Sequence, residues 1–245
     1  MEKMKITLDR LLYVGAACAA MFLAPIAQAG SLHSGAPLFG DPVVIDYLGV
    51  DNSTAAGAFE KATFNGGSIP NFWCIDLTHT VPYPPWTLQH YTEAPFQSAP
   101  LAFSGTQVSN LRTLFANNYS NALFSSPDNA AAFQLAIWDI LFDTDGNLAT
   151  SGGGVNSAFG VESVTSANAS TVLATAQGWI TTAETGPQHP YTLTQLTSSA
   201  GNQSFIYPGP LSVNVPEPSG LALLGAALVA MMFVTRRRRT GGYPA

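Results

Sequence analysis

Two apolar segments, each beside a group of basic residues, lie at the ends of the chain and confine a globular fold to the residues between them. At the N-terminus, three basic residues precede an apolar run, which ends in the small-x-small sequence Ala27–Ala29. This arrangement predicts a secretory signal peptide over residues 1–29, with Gly30 as the first residue of the exported chain. The alternative is an N-terminal anchor that is not cleaved.

The C-terminal segment combines a proline-rich turn, an apolar run and a block of arginines. Pro216 and Pro218 cannot propagate a helix. The apolar run, Gly220–Val234, is shorter than the roughly 20 residues of an ordinary membrane-spanning helix. The arginine block favours the cytoplasmic side, so the main body is expected outside the inner membrane. An ordinary tail anchor is the alternative interpretation.

This segment closely resembles the PEP-CTERM sorting signal of Gram-negative bacteria. The resemblance assigns residues 216–239 to the signal and residues 240–245 to a cytoplasmic tail. It implies an exosortase at the inner membrane as partner, removal of the tail, and delivery to the cell surface or extracellular matrix. The matching residues around the transmembrane helix are Pro216, Glu217, Pro218, Arg236, Arg237, Arg238 and Arg239.

The composition between Gly30 and Val215 excludes one class of function. This part is long enough for one domain with its own core. Its only basic residues are Lys61 and Arg112, against twelve Asp and Glu residues. A basic patch for nucleic acid is therefore excluded. Low charge with many Ser, Thr, Asn, Gly and aromatic residues is typical of secreted, β-rich surface proteins.

Cysteine usage leaves two interpretations open. Cys18 lies in the predicted signal peptide, so Cys74 remains alone in the exported chain. An intramolecular disulfide is then impossible, and a single exported cysteine can be a reactive thiol. The plainer interpretation is a buried cysteine that packs as a small apolar residue.

Residue patterns predict an α+β fold, an antiparallel β-sheet or sandwich with an inserted helical region between the two targeting segments. β-branched and aromatic residues indicate strands, and apolar residues at helical spacing indicate helices. Strands before helices before strands favour antiparallel sheet. The predicted strands are 42–50, 57–64, 71–81, 203–208 and 211–215, and the predicted helices are 107–119, 125–143 and 166–180.

Alternation along the strand at 71–81 decides which side chains share a face with Cys74. Asp76 and Thr78 lie on its face, and Trp73 and Ile75 lie on the other. The same alternation directs His79 away from Cys74, as a surface histidine at the strand end. Asp76 and Asp139 of the second helix could each accept a proton or hold a hydrogen bond at the site, but the expected role of both is that of a solvated or capping carboxylate.

Two blocks of the sequence, "FWCIDL" and "FQLAIWDI", resemble the paired signature of bacterial thioester domains. The resemblance implies that the sulfur of Cys74 and the side-chain carbonyl of Gln134 form an internal thioester with loss of ammonia. Phe133 stands where many members of that family have threonine. The expected surroundings of the bond are Ile75, Asp76, Ala136, Ile137 and Trp138.

Physical chemistry sets the conditions for such a bond. A carboxamide is a poor electrophile and only the thiolate is a good nucleophile, so the two groups must be held in contact. An apolar wall such as Trp138 would then protect the product from water. The finished thioester would attach the protein covalently to amines on a target and, more slowly, to hydroxyls.

Other functions have weaker support in the sequence. The Asp143–Asn147 stretch resembles the start of a calcium loop, but position twelve is Gly154 instead of glutamate. No zinc pattern, nucleophile elbow or phosphate loop is present, so neither a metal, a cofactor nor an enzyme is predicted. The alternative to a thioester protein is a non-covalent structural protein of a biofilm or exopolysaccharide matrix, with the same fold and no bond.

Overall fold

The computed structural model describes residues 30–34, 38–80, 86–97, 101, 103–119, 126–143, 146–148 and 159–209. The chain divides into two compact units, 1–211 and 212–245, and all of the described residues belong to the first. The predicted signal peptide, the closing strand at 211–215 and the sorting segment lie outside the described residues.

Ten strands and three helices make up the described part of the chain. The strands are β1 Gly30–Ser34, β2 Phe39–Tyr47, β3 Val50–Ala58, β4 Ala62–Phe64, β5 Gly67–Ser68, β6 Trp73–Cys74, β7 Trp86–Pro95, β8 Phe159–Val164, β9 Leu193–Ser198 and β10 Phe205–Pro208. The helices are α1 Gly105–Asn118, α2 Pro127–Phe142 and α3 Ala169–Thr185.

The strands form two sheets. In the larger one the order is β5-β4-β1-β7-β9-β10-β6, and in the smaller one it is β3-β2-β8. The paired strands are antiparallel throughout both sheets. The three helices lie between β7 and β9 in the chain, so the α+β prediction with antiparallel sheet is confirmed. The order leaves β6, which carries Cys74, at an edge of the larger sheet.

The helices follow their local signals closely. Ser104 and Gln107 form a reciprocal capping box at the start of α1, and the helix ends at Asn118, one residue before its predicted end. Helix α2 begins at Pro127, within the range predicted for it, and the Ser126 side chain before it makes no capping hydrogen bond. Helix α3 continues past the predicted end at Ile180 to Thr185.

Strand boundaries differ more from the prediction. The strand predicted over 42–50 ends at Tyr47, because Leu48 and Gly49 both have positive φ and form the tight turn into β3. The candidate over 57–64 is broken at Lys61, where φ is 52°. The pattern also missed β1, β3, β5, β7, β8 and β9. Strand β3 is rich in small and polar residues, which have little intrinsic strand preference.

Strand β6 is shorter than predicted and is packed on both faces. On one face, the Phe72 ring beside it stacks on Phe59 at 5.0 Å and contacts Phe205 edge-on at 4.9 Å. On the other face, Trp73 contacts Phe115 of α1 at 5.4 Å and Phe133 of α2 at 5.1 Å. These contacts hold the edge strand against helix α2, which also packs on β2, β3 and β8.

Candidate functional site

The side-chain amide of Gln134 pairs with the main chain of Cys74. The Cys74 N–H donates to Gln134 Oε1 at 3.0 Å, and Gln134 Nε2 donates to the Cys74 carbonyl oxygen at 2.9 Å. Gln134 is fully buried and Cys74 is 4% exposed. The structure therefore brings together the two residues that the sequence predicts as thioester partners.

The pairing follows from the position of β6 at the sheet edge. Ile75 N donates to Ser204 O at 3.0 Å, and Cys74 lies opposite Phe205. Because hydrogen-bonded and non-hydrogen-bonded pairs alternate in an antiparallel ladder, the main-chain groups of Cys74 point away from β10. Buried main-chain groups need partners. The carboxamide of Gln134 supplies both partners, in the place where the next strand would lie.

This arrangement fixes the Gln134 carboxamide beside Cys74 through two main-chain hydrogen bonds. The Cys74 N–H polarises that carbonyl in the manner of an oxyanion-hole donor, which stabilises negative charge on the oxygen during addition. Loss of ammonia would remove Nε2 and its hydrogen bond. The N–H bond to the carbonyl oxygen is compatible with both the amide and a thioester.

The thiol itself is in a neutral state. Burial raises the pKa of the Cys74 thiol far above its ordinary value, and the nearby charge of Asp76 raises it further. Cys74 forms no disulfide. Since the thiolate is the nucleophilic form, attack on Gln134 requires a group that accepts the thiol proton as the S–C bond forms.

Asp76 is the centre of a short hydrogen-bonded turn after β6. Its Oδ1 accepts from Thr78 N at 2.9 Å and Thr78 Oγ1 at 2.7 Å, and His79 Nδ1 lies 2.7 Å from its Oδ2. The prediction of a surface histidine is confirmed, since the His79 side chain is 45% exposed. Its predicted orientation is wrong, because it contacts Asp76 and Thr78, and strand alternation does not extend beyond the ladder that ends at Cys74. Asp76 is 7% exposed and caps the main-chain N–H of Thr78, so of the two expectations for it, capping is confirmed and solvation is wrong.

Two residues that sequence reasoning missed connect this turn to the larger sheet. Gln203 Nε2 donates to the Asp76 carbonyl oxygen at 2.9 Å, and the Tyr91 hydroxyl donates to the Gln203 carbonyl oxygen at 2.7 Å. Burial raises the pKa of Tyr91, and the charges of Cys74 and Asp76 raise it further. The sequence marks neither residue as part of the site, since Tyr91 lies on the unpredicted strand β7 and Gln203 is only the first residue of the strand predicted over 203–208.

The other predicted site residues are buried along the same elements. Ile75, Ala136 and Ile137 are fully buried in the core. The Trp138 ring contacts Phe159 at 6.3 Å, and its Nε1 is buried with no hydrogen-bond partner in the described part of the chain. Asp139 is fully buried instead of solvated, and its carbonyl oxygen accepts from Asp143 N.

One group of carboxylates has a spacing that a metal ion could use. Asp46, Asp51 and Glu162 lie at one end of the smaller sheet, with oxygens within 4.8 Å of one another. Asp46 Oδ1 also accepts from Gly49 N in the β2–β3 turn. Partly exposed acidic groups of this kind are common without an ion, and this cluster is not assigned a metal.

Comparison with known proteins identifies the C-terminal signal. The PEP-CTERM protein-sorting motif matches residues 214–239. The chain is therefore an exported protein that exosortase sorts and processes at the membrane, as predicted. No curated protein and no solved structure shows significant similarity to it. Among the described residues, no helix has the length and apolar character needed to cross a membrane.

Proposed function

We propose that this protein reaches the cell surface or extracellular matrix, where an internal Cys74–Gln134 thioester attaches it covalently to amines on a target. The observation that carries the proposal is the buried hydrogen-bonded contact between the Gln134 carboxamide and the Cys74 main chain. The sorting signal supplies the route of export, and the predicted domain Gly30–Val215 supplies the reactive group.

The proposed chemistry has two balanced steps. In the first, the Cys74 sulfur bonds to the side-chain carbonyl carbon of Gln134, the C–N bond breaks, and ammonia leaves with the thiol proton. In the second, a target amine attacks the same carbon and the C–S bond breaks. The amine loses a proton, and Cys74 is released as a free thiol. Hydroxyl groups would react more slowly, as esters.

Three properties of the site support this chemistry. Strand β6 and helix α2 hold the Gln134 carboxamide against the main chain of Cys74, and two reacting groups held close together have a greatly raised effective concentration. Burial protects a thioester from water. Lys61 is the only lysine between Gly30 and Val215, so few amines of the domain itself would compete with an external target.

A non-covalent structural protein of a biofilm or exopolysaccharide matrix is the second candidate. Its supporting observation is that a glutamine that only closes a sheet edge would make the same two hydrogen bonds. The buried neutral thiol is also typical of a core cysteine. In that case Cys74 and Gln134 stabilise the fold and never react.

Mass spectrometry of the exported protein separates the two candidates. We expect a mass one ammonia below that calculated from the sequence, with the Cys74→Ala protein as reference for the true chain ends. Methylamine should add to the wild type at Gln134 and should add to neither Cys74→Ala nor Gln134→Ala. A wild-type mass equal to the calculated value, with a thiol that reacts with a probe after unfolding, would overturn the thioester proposal.

Trypsin provides an independent check, because Arg112 lies between the two residues. Cleavage there places Cys74 and Gln134 on different peptides. At acidic pH these peptides should remain joined in the wild type and should separate after methylamine treatment. In the Cys74→Ala control they should separate without treatment.

A further inference from the structure

The paired hydrogen bonds between Gln134 and Cys74 select one of the two hydrogens on the Gln134 amide nitrogen. The Cys74 N–H donates to Oε1 at 3.0 Å, and Nε2 donates to the Cys74 carbonyl oxygen at 2.9 Å. Both main-chain groups belong to one strand residue and point to the same side of the strand. A carboxamide meets them together only with its oxygen and the N–H that lies on the same side as that oxygen.

That hydrogen is the one that an attached target replaces. A primary amine that opens the proposed thioester gives a secondary amide, with one hydrogen and one carbon substituent on the nitrogen. The trans form of such an amide is favoured over the cis form by roughly a hundredfold. In the trans form the N–H lies opposite to the carbonyl oxygen, and the substituent lies beside that oxygen. The substituent therefore takes the position from which Gln134 donates to Cys74.

The space beside the Cys74 carbonyl does not admit a carbon atom. An N–C bond of about 1.46 Å along the present 2.9 Å contact would leave the carbon within about 2 Å of the carbonyl oxygen. Even close C–H···O contacts need about 3.3 Å between carbon and oxygen. The trans secondary amide and the paired arrangement therefore exclude one another. The primary amide that ammonia restores retains both hydrogen bonds in its stable geometry.

Burial leads to the same conclusion for a large target. Gln134 is fully buried, and Cys74 is 4% exposed. A macromolecule joined to the Gln134 side chain must extend into solvent, so the acyl group has to move out of its present position. Strand β6 stays on the larger sheet during this movement, since Ile75 N donates to Ser204 O at 3.0 Å on the other side of the strand.

We propose, on the premise of the proposed function, that attachment to a target amine drives Gln134 away from the Cys74 main chain and thereby makes the attachment irreversible. As the thioester opens, the C–N bond forms, the C–S bond breaks, and a proton passes from the amine to the sulfur. The amide state has both hydrogen bonds, the thioester keeps the one to Oε1, and the attached state has neither.

Irreversibility follows from the separation of the two reacting groups. Once the acyl carbon has left the site, the freed Cys74 thiol no longer reaches it and the target amine is not expelled. Ammonia acts differently, because its product is the original carboxamide beside the thiol. From that state the thioester forms again with loss of ammonia.

Two matched adducts of the exported protein test this inference. The thioester is opened with ammonia or with methylamine at equal pH, and intact mass confirms the uptake. Exchange of single main-chain N–H groups with deuterium is then followed by NMR of nitrogen-15-labelled protein. We expect the Cys74 N–H to exchange at least about tenfold faster in the methylamine adduct, because it has lost its buried acceptor. The Ile75 N–H is the internal control and should exchange at the same rate in both adducts.

The Cys74→Ala chain provides a second control, because it forms no thioester and keeps Gln134 as an amide. The N–H at position 74 should exchange slowly in this chain, and methylamine should leave its rate unchanged. This chain also replaces the ammonia adduct as the reference if ammonia fails to open the bond.

Reversal of the two reactions is measured on the same adducts. After removal of the free amine by dialysis, we expect the ammonia adduct to lose ammonia again and the methylamine adduct to keep its mass. Recovery of the thioester from both adducts at equal rates would overturn the irreversibility of attachment.

The possible outcomes separate this inference from the proposed function. A wild-type chain that has no thioester and takes up no methylamine overturns both. A chain that takes up methylamine at Gln134 and still protects the Cys74 N–H as well as the reference does would hold the new amide in place. That result overturns only the release of Gln134 from β6.

Discussion

Helix α2 meets the two sheets through contacts of opposite chemical character. Midway along the helix, Gln134 meets β6 of the larger sheet, and each donor faces an acceptor. At its first turn, Asp128 meets Asp41 of β2 in the smaller sheet, and two carboxyl groups lie side by side. The first contact joins uncharged groups, whereas the second is attractive only while one of its two carboxyl groups is protonated.

The acidic contact is organised around Asp128. Its Oδ1 accepts from Ser166 Oγ and its Oδ2 accepts from Asn168 Nδ2, both at 2.7 Å. Hydrogen bonds from Asn168 and Ser166 lower the pKa of Asp128, while burial and the charge of Asp128 raise the pKa of Asp41. A proton shared by the pair therefore resides on Asp41.

One helix thus combines a contact whose strength is independent of pH with a contact whose strength changes with pH. The Gln134–Cys74 pairing contains no group that changes charge between acid and neutral pH, so its strength should be constant there. The Asp41–Asp128 contact changes from attraction to repulsion when Asp41 loses its proton. Three predictions follow from this contrast, in order of expected effect.

Removal of the Gln134 amide should cause the largest loss of stability. In a Cys74→Ala background, where no thioester can form, Gln134→Leu leaves a buried N–H and a buried C=O without partners. Each unsatisfied group costs about 1–3 kcal/mol, so for the two groups the free energy of unfolding should fall by about 2–6 kcal/mol. Urea unfolding of the single and double variants measures this difference, and a loss below about 0.5 kcal/mol would contradict the pairing.

Truncation of Cys74 should cost much less than truncation of Gln134. Cys74→Ala removes a small buried sulfur and leaves both main-chain hydrogen bonds to Gln134 in place. Relative to a wild-type chain in which Gln134 is still an amide, the expected loss is about 1 kcal/mol, close to the value for a single buried methylene group. Gln134→Ala, by contrast, removes both of these hydrogen bonds, so the two truncations should differ in cost. Equal unfolding free energies for Cys74→Ala and Gln134→Ala would argue against this asymmetry.

Neutralisation of Asp41 should change the pH dependence of stability. A raised native pKa gives a contribution that is complete below the unfolded-state pKa and is lost as pH rises through the native value. The lowered pKa of Asp128 has the opposite effect, and its contribution is lost as pH falls through the native value. Stability from this contact should therefore be greatest in mildly acidic solution.

Asp41→Asn provides the test, because an asparagine amide can donate to Asp128 at every pH. We expect a higher melting temperature than wild type at neutral pH and little difference in acid. Thermal melts across pH measure the effect, with Asp46→Asn as the control for a general loss of negative charge. If the melting temperature of Asp41→Asn varied with pH in the same way as that of the wild type, the acidic contact would not control stability.

Local signals predicted the helices well and the strands poorly. Pro127 and the spacing of apolar residues in α2 act within one turn of helix, so the sequence carries that information directly. Strand β7 and the end of β6 depend on partners distant in the chain. The error at His79 has the same origin, because alternation holds only as far as the ladder extends.

The sorting signal and the approximate positions of the helices can be read from the sequence, because each depends on neighbouring residues alone. The contact of the Cys74 main chain with Gln134 and that of His79 with Asp76 arise only when the chain folds. The reason is that the outward-facing main-chain N–H and C=O groups of an edge strand bond to the element that packs beside them. Here that neighbour is a glutamine on a helix that the chain reaches only after β7 and α1.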